Sequence, residues 1–365
     1  MELNTLTLER LTDPELSARE AGLRYVSDEV AGYTRRRKGR GFAYYRPGGE
    51  LVERGPERDR LVALVIPPAW QEVWICADPA GHLQATGRDQ KGRKQYRYHE
   101  EWERVRSEAK FHRMVLFGQR LPALREAVST LMRKRTLSKE KVTALAVAVL
   151  DAAHVRVGNE VYTRKNGSFG LTTLRDEHLD VYGGTVTLRY TAKSGKEREV
   201  SFKDRRIARN LLRCQELPGQ RLLQYVSDED TYGSVESGDI NAFLEAAMSE
   251  PFTAKDFRTW GGTVRAFSHL LDAGPPGSDE DAKQAIVDCI KAVARAIGNT
   301  PAVCRAYYVH PAILDAYRAG TLAPTYTHAE QHYDASDPHG LDLFETAALA
   351  IMTEYAGHAE FLTAA

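Results

Sequence analysis

Two adjacent tyrosines, Tyr307 and Tyr308, end a short segment whose flanking residues predict a helix. Thr300 followed by Pro301 predicts the start of that helix, because a hydroxyl can cap free amides and proline suits the first turn. Pro311 then limits how far the helix can continue. A tyrosine in such a segment is ordinarily a packing residue. Chemistry at either tyrosine therefore needs support from elsewhere in the chain.

Three cations far upstream, Arg156, Lys193 and Arg258, could give that support. Each of them alone is ordinarily a helix-end or surface charge. A phenol is a poor nucleophile unless the charge that develops on it and on its target is stabilised. Two guanidiniums, an ammonium and a tyrosine together suit attack on a phosphodiester.

Helices and one hairpin must position these cations. A helix capped by Ser138 places Arg156 in its last turn, just before Gly158. Alternating apolar residues over 186–190 predict a strand, and the turn that follows places Lys193 at a hairpin tip.

Further helices surround the second arginine and the tyrosines. Arg258 falls in a predicted helix over residues 254–271. Another helix over 281–297 ends at Gly298, a residue that commonly terminates helices. Asn299 follows directly and leads into the tyrosine segment.

The first hundred residues have a different pattern. Strand-like runs over 33–37 and 42–46 flank a glycine-containing turn and predict a hairpin, and shorter strands follow up to residue 98. A charged helix over 100–115 comes next. The sequence therefore predicts an α+β fold, with a small β-rich N-terminal domain over residues 1–104. A mostly helical catalytic domain with a β-hairpin insert covers residues 105–365.

Composition and spacing limit the compartment and the cofactors. The sequence has no run of about 18 apolar residues, so no membrane span is predicted. The N-terminal ten residues do not have the pattern of a signal peptide. The cysteines are isolated, which favours reduced intracellular thiols. His328 and His332 have metal-ligand spacing, but their segment is polar and lacks cysteine. We expect a cytoplasmic, nucleoid-associated protein with no metal and no other cofactor.

The charges are segregated although they sum to zero, with 50 lysines and arginines against 50 acids. Acids collect at 228–230 and 279–281. Cations collect in three runs, which together predict a footprint on a phosphate backbone. The runs are Arg35, Arg36, Arg37, Lys38 and Arg40; Arg88, Lys91, Arg93, Lys94 and Arg97 with Tyr96 and Tyr98 between them; and Arg133, Lys134, Arg135, Lys139 and Lys141.

Several segments, in this order along the chain, resemble the type IB DNA topoisomerases, in particular their compact bacterial and poxvirus-like branch. Together they cover nearly the whole chain. They are TGRDQKGRKQYRYH (86–99), RVGNEVY (156–162), GLTTL (170–174), TAKSGK (191–196), FTAKDFRTWGGT (252–263) and NTPAVCRAYY (299–308).

The resemblance implies a fold of the tyrosine recombinase and topoisomerase IB kind, and a role for each matching residue. Tyr308 is implied as the nucleophile that forms a 3′-phosphotyrosyl bond. Arg156 and Arg258 are implied to stabilise the phosphorane, and Lys193 to protonate the leaving 5′-oxygen. Asn299 stands where many relatives carry histidine, and its amide can still donate a hydrogen bond.

The resemblance also implies the partner. Duplex DNA is the expected substrate, held by a monomer that closes on it as a clamp, with relaxation of positive and negative supercoils. The implied DNA-binding residues are Arg88, Lys91, Arg93, Tyr96, Tyr98, Asn159 and Tyr162.

Two alternatives remain open at this stage. A tyrosine recombinase shares this chemistry, but recombinases usually place histidine three residues before the second arginine, where this chain has Lys255. A non-enzymatic DNA-binding protein with a decayed site is the other alternative, and the presence of the complete residue set disfavours it.

Overall fold

A five-stranded antiparallel sheet dominates the first part of the chain. The computed structural model describes residues 13–227 and 231–363, without the side chains of residues 107, 108, 162 and 357–363. The strands pair in the order β2-β1-β3-β4-β5, and β1 and β2 form the predicted hairpin. The elements of this part are α1 (Pro14–Glu20), β1 (Tyr33–Lys38), β2 (Gly41–Tyr45), α2 (Pro56–Ala63), β3 (Gln71–Ile75), β4 (Leu83–Arg88) and β5 (Lys94–Tyr98).

One face of this sheet carries a hydrophobic core that includes Ile75 and, from α2, Leu61. Arg35 of β1 is buried, and its guanidinium donates to the carbonyl oxygens of Ile66, Pro67 and Trp70. Because these contacts use its donors inside the fold, the first basic run is not the uniform surface charge that the sequence suggested.

Two predicted features fall outside the described residues. The N-terminal ten residues, which have no signal-peptide pattern, belong to the undescribed segment 1–12. The acidic cluster at 228–230 is also outside the description.

The chain divides into two compact units between Phe111 and His112. Helix α3 (Glu100–Met132) spans this position and is longer than the helix predicted over 100–115. It continues past Pro122 because its later turns bury Leu121 and Leu124. Burying such side chains offsets the roughly 3 kcal/mol that an interior proline costs a helix.

The second unit is mainly helical around one central helix, α8. The buried side chains of α8 include Phe257, Trp260 and Phe267, and α8 contacts α4, α7, α9, α11, α12 and α13. The elements are α4 (Lys139–Ala153), α5 (Glu160–Asn166), α6 (Arg205–Gln215), α7 (Ser237–Met248), α8 (Ala254–Asp272), α9 (Asp279–Ile297), α10 (Pro301–Tyr307), α11 (Pro311–Arg318), α12 (Leu322–His332) and α13 (Leu343–Thr363).

The predicted β-hairpin insert is part of a three-stranded antiparallel sheet. Strand β7 (Thr185–Ala192) pairs with β6 (Leu179–Tyr182) on one side and with β8 (Lys196–Lys203) on the other. Ser194 and Gly195 both have positive φ in the turn, as the sequence indicated. A separate two-stranded ribbon, β9 (Gln224–Val226) with β10 (Tyr232–Ser234), was not predicted.

The described part of the chain contains no helix with the length and hydropathy needed to cross a bilayer. Its four cysteines are buried and unpaired. Small sheets and many helices within one chain agree with the mixed α and β content expected from the sequence.

Candidate active site

The tyrosine segment begins and ends as its local sequence predicts. The Thr300 hydroxyl accepts a hydrogen bond from the Val303 amide at 3.4 Å and caps α10. Tyr308 is the last residue of this turn, and its amide donates to the Cys304 carbonyl at 2.9 Å. Pro311 starts the next helix, α11, so Tyr308 lies between two short helices.

The two tyrosines have different surroundings. The Tyr307 side chain is turned to solvent, with 53% of its surface exposed. Tyr308 is half-buried, and the Arg258 guanidinium carbon lies 5.0 Å from the centre of its ring. Tyr308 therefore lies against a cation that can stabilise charge on its phenol oxygen.

Helix α8 fixes the backbone that carries Tyr308. A Cβ atom at Gly262 would come within 2.4 Å of the Tyr308 carbonyl oxygen, so only glycine allows this close approach. The Thr263 hydroxyl accepts from the His310 amide at 3.1 Å. Contacts from one helix on both sides of the residue leave its backbone little freedom to move.

Arg258 is a buried cation, with 4% of its surface exposed. Its Nη1 donates to the His154 carbonyl at 2.8 Å and its Nη2 to the Ile297 carbonyl at 2.9 Å. Burial, followed by repulsion from Arg156, lowers the pKa of this guanidinium, while Tyr308 acts in the opposite direction. An arginine nevertheless remains charged at neutral pH.

Arg156 lies outside the helix to which the sequence assigned it. Helix α4 ends at Ala153, and His154 adopts a left-handed conformation with φ of 52°. The expectation that Arg156 occupies the last turn was therefore wrong. A Cβ at Gly261 would come within 2.0 Å of the His154 ring, so this glycine makes room for the chain reversal. The Arg156 carbonyl then accepts from the Leu171 amide at 2.8 Å.

The His154 ring is neutral beside these cations. Burial, and then the nearby Arg265, lower its pKa to about 3. The Arg265 Nη2 lies 3.3 Å from the imidazole Nδ1. This histidine therefore adds no charge to the site at neutral pH.

Asn299 is oriented by Arg156. The Arg156 Nη2 donates to the Gly298 carbonyl at 2.9 Å and to the Asn299 Oδ1 at 2.6 Å. The Asn299 Nδ2 is buried and has no hydrogen-bond partner among the residues that the structure describes. An unpaired buried donor is costly in a folded protein. Its position beside two arginines suits an anionic oxygen as the missing acceptor.

We expect Asn299→Ala to slow strand cleavage by on the order of 10²–10³-fold, the usual cost of losing one such donor. Asn299→His should cleave at a rate close to that of the unaltered protein, because an imidazole N–H can replace the amide donor. Asn299→Asp should be as slow as the alanine variant, since it keeps the acceptor for Arg156 but has no N–H. Single-turnover cleavage at saturating DNA measures all three. Unchanged cleavage by Asn299→Ala would mean that this residue has only a structural role beside Gly298.

Lys193 is not part of the cluster in this structure. It is exposed in the turn between β7 and β8. Among the described contacts it has no hydrogen bond or ion pair with Arg156, Arg258 or Tyr308. A role at the reacting phosphate therefore requires the hairpin tip to approach that phosphate when the substrate binds.

The aromatic and basic residues of the second run lie at the end of β4, in the turn that follows, and along the edge strand β5. The rings of Tyr96 and Tyr98 stack with centroids 6.0 Å apart and are exposed. Arg88 pairs with Glu72 at 2.8 Å, Arg93 pairs with Asp89 at 2.6 Å, and Lys91 is exposed.

Asn159 and Tyr162 are the other two predicted DNA contacts. Asn159 caps α5, because its Oδ1 accepts from the Val161 amide at 2.9 Å. The side chain of Tyr162 lies outside the described residues. Lys141 of the third basic run is buried and donates to the Lys134 carbonyl, so that run also contains an internal cation.

One cation beside the site was missed by the sequence analysis. Arg198 of β8 is half-buried and donates through both terminal nitrogens to the end of α9. Its strand position and its charged neighbours gave no sequence signal that distinguished it from a surface arginine.

The described residues contain no group of three or more histidine, cysteine, aspartate or glutamate side chains arranged to hold a metal ion. The His328 and His332 rings lie 4.4 Å apart, and His332 Nδ1 is 2.8 Å from the His328 carbonyl oxygen.

Comparisons with known proteins give two matching family models. The family model for the catalytic core of eukaryotic DNA topoisomerase I matches residues 96–332. The model for the N-terminal domain of bacterial DNA topoisomerase IB matches residues 41–89.

Two individual relatives are also named DNA topoisomerase 1B. DNA topoisomerase 1B of Acanthamoeba polyphaga mimivirus is 33% identical over 296 residues, which cover 79% of this chain and 88% of the relative. DNA topoisomerase 1B of vaccinia virus is 22% identical over 279 residues, or 74% of this chain and 82% of the relative.

A helical unit that places one tyrosine against an arginine, and a second arginine on the same helix end as the first, has the components of a tyrosine-based DNA strand-transfer enzyme. The matches to both family models and to the mimivirus protein narrow this class, and the chain belongs to the type IB DNA topoisomerases. It is thus a type I DNA topoisomerase, and these comparisons give no support to the recombinase alternative.

Proposed function

We propose that this topoisomerase cleaves one strand of duplex DNA with Tyr308 as the nucleophile. The phenol loses its proton to solvent water as its oxygen bonds to phosphorus, and the bond from phosphorus to the 5′-oxygen breaks. The products are a 3′-phosphotyrosyl ester and a free 5′-hydroxyl. Arg156 and Arg258 neutralise the nonbridging oxygens, and the Asn299 Nδ2 donates to one of them. Lys193 supplies the proton to the 5′-oxygen.

The observation that carries this proposal is the contact between Tyr308 and Arg258 at the end of α9. The ring of Tyr308 lies 5.0 Å from the Arg258 guanidinium carbon. Arg156 donates to Gly298 at the same helix end and to the Asn299 Oδ1. The Asn299 Nδ2 has no hydrogen-bond partner among the described residues. A nucleophile, two cations and an unused donor thus come together within one unit.

The ester retains the energy of the broken bond, so resealing needs no ATP. Rotation of the nicked duplex before resealing relaxes supercoils of either sign. The guanidiniums supply the charge neutralisation that metal ions supply at other phosphoryl-transfer sites. Relaxation should therefore proceed in EDTA.

We further propose that the protein acts as a monomer that closes on DNA as a clamp. The β-rich domain at residues 1–104 and the helical domain at 105–365 would form its two sides. Arg88, Lys91, Arg93, Tyr96 and Tyr98 would contact the backbone from the first domain. Asn159 and Tyr162 would lie near the cleaved strand.

Relaxation of supercoiled plasmid, combined with trapping of a protein-linked DNA end by denaturant, tests the proposed function. We expect complete relaxation of both positive and negative supercoils without ATP and with EDTA present. The trapped DNA should carry the protein on its 3′ end. Dependence of cleavage on Mg²⁺, recombined products without relaxation, or a gel shift without an adduct would each contradict the proposal.

We expect the double variant Lys91→Gln and Arg93→Gln to bind DNA with a flatter salt dependence. Each lost phosphate contact should reduce the slope of log affinity against log salt by about 0.9. The ion pair of Arg93 with Asp89 does not prevent such a contact, because an exposed pair contributes only about 0–1 kcal/mol. Fluorescence anisotropy over a salt series measures the slope.

The matched control for this measurement is Lys283→Gln, which removes an exposed lysine that pairs with Glu280 on α9. The control should keep the slope of the unaltered protein. Equal slopes for all three proteins would remove Lys91 and Arg93 from the DNA interface.

A further inference from the structure

Three guanidiniums from three separate elements converge on the end of α9. Arg198 of β8 donates through Nη1 to the Arg295 carbonyl at 2.9 Å and through Nη2 to the Ala296 carbonyl. The next carbonyl, of Ile297, accepts from Arg258, and that of Gly298 accepts from Arg156. Four consecutive carbonyl groups are thereby occupied by arginine side chains.

Helix chemistry explains why like charges gather here. The last carbonyl groups of a helix lack partners within the helix and carry the negative end of its dipole. Gly298 ends α9 with φ of 68°, and the Asn299 amide turns back to the Ala294 carbonyl at 2.9 Å. The Gly298 amide also donates to the Arg295 carbonyl at 3.2 Å, and the arginine side chains add their bonds to the carbonyl groups from 295 to 298.

Arg198 differs from the other two arginines in its second contact. Arg258 contacts Tyr308, and Arg156 contacts the side chain of Asn299. Arg198 instead lies directly opposite the buried Tyr190 in the register between β8 and the neighbouring strand β7. Arg198 is therefore tied to the sheet on one side and to the helix end on the other.

We propose that Arg198 is a positioning residue for strand cleavage. Its planar fork fixes the last turn of α9 against the sheet and so sets the carbonyl groups that hold Arg258 and Arg156 and the orientation of Asn299. A lysine can donate from the same position but cannot bridge two carbonyl groups in a rigid fork. This inference rests on the roles proposed above for Arg156, Arg258 and Asn299.

Arg198→Ala should slow single-turnover cleavage at saturating DNA by roughly 10–10²-fold, since displacement of a reacting group by about 1 Å can cost 10²-fold. DNA affinity and its salt dependence should stay those of the unaltered protein. Arg198→Lys should fall between the two rates. The matched control is Arg189→Ala, which removes an exposed arginine of β7 that pairs with Glu199 and should leave cleavage unchanged.

A double-mutant cycle with Asn299→Ala separates positioning from mere stability. If Arg198 acts by orienting Asn299 and Arg156, its removal should cost less in the Asn299→Ala background than in the unaltered protein. If Arg198→Ala does not fold, the same cycle run with Arg198→Lys gives the answer. The cycle measures the cleavage rate. A general loss of stability from Arg198→Ala would slow cleavage by the same factor with Asn299 or with alanine at that position.

Four outcomes would overturn the proposal. They are cleavage by Arg198→Ala equal to that of Arg189→Ala, an Arg198→Lys rate equal to that of the unaltered protein, weaker DNA binding with a flatter salt slope, and fully multiplicative effects in the cycle. Failure of the proposed function would show differently, as absence of a Tyr308-dependent adduct in the unaltered protein.

Discussion

Tyr308→Phe should form no covalent adduct with DNA while binding it as tightly as the unaltered protein. Removal of a catalytic nucleophile typically costs on the order of 10⁶-fold in rate. The phenylalanine ring keeps the packing beside Arg258, whose guanidinium carbon lies 5.0 Å from the ring centre, and loses only the hydroxyl. Single-turnover cleavage of a labelled duplex, resolved on a denaturing gel, measures adduct formation.

Tyr307→Phe is the matched control, because it removes the same hydroxyl from the adjacent residue. Tyr307 is 53% exposed and Tyr308 is half-buried against Arg258, so we expect the control to cleave normally. Tyr307 ends α10 with its side chain in solvent, whereas Tyr308 follows the helix and packs on Arg258, so the two side chains do not face one phosphate. An adduct in Tyr308→Phe and none in Tyr307→Phe would place the nucleophile one residue earlier.

Lys193→Ala should slow cleavage by roughly 10²–10⁴-fold, the usual range for loss of general acid catalysis. The departing 5′-alkoxide is strongly basic and needs a proton as its bond breaks. A substrate with sulfur at the 5′-bridging position needs no such proton, because a thiolate leaves without protonation. The alanine variant should therefore cleave the sulfur substrate at close to the rate of the unaltered protein.

Lys193 is exposed at the turn between β7 and β8. The experiment therefore tests whether this hairpin tip reaches the reacting phosphate when DNA binds. Lys196→Ala is the matched control, since Lys196 is also exposed and begins the opposite strand of the same hairpin. The control should cleave both substrates normally. An equal defect of Lys193→Ala on oxygen and sulfur would assign this lysine to binding or charge stabilisation. Arg156 would become the next candidate for the acid, and Lys196 would follow only if Lys196→Ala slowed cleavage of the oxygen substrate alone.

The sequence by itself determined the local frame of the tyrosine segment. Gly298 ends α9, Thr300 caps α10, and α10 stops before Pro311, as their residue types predict. Helix ends and tight turns depend on a few neighbouring residues, so their signals are present in short stretches of chain. The hairpin turn at Ser194 was predictable for the same reason.

The second group of features depended on contacts between distant residues. Arg156 reaches Gly298 across 142 positions, and Arg198 reaches Arg295 across 97. No local pattern indicates which arginine will satisfy a helix end far along the chain. Arg198 was missed for that reason, and Arg156 was assigned to a helix that ends earlier, at Ala153.

Burial was also decided only by the tertiary structure. Arg35 and Lys141 lie in basic runs that the sequence assigned to a surface, yet both are buried and donate to backbone carbonyl groups. A buried cation is tolerated only where acceptors meet its donors. Those acceptors belong to other segments, so the sequence determined that these residues are charged, and the packing determined which of them face the interior.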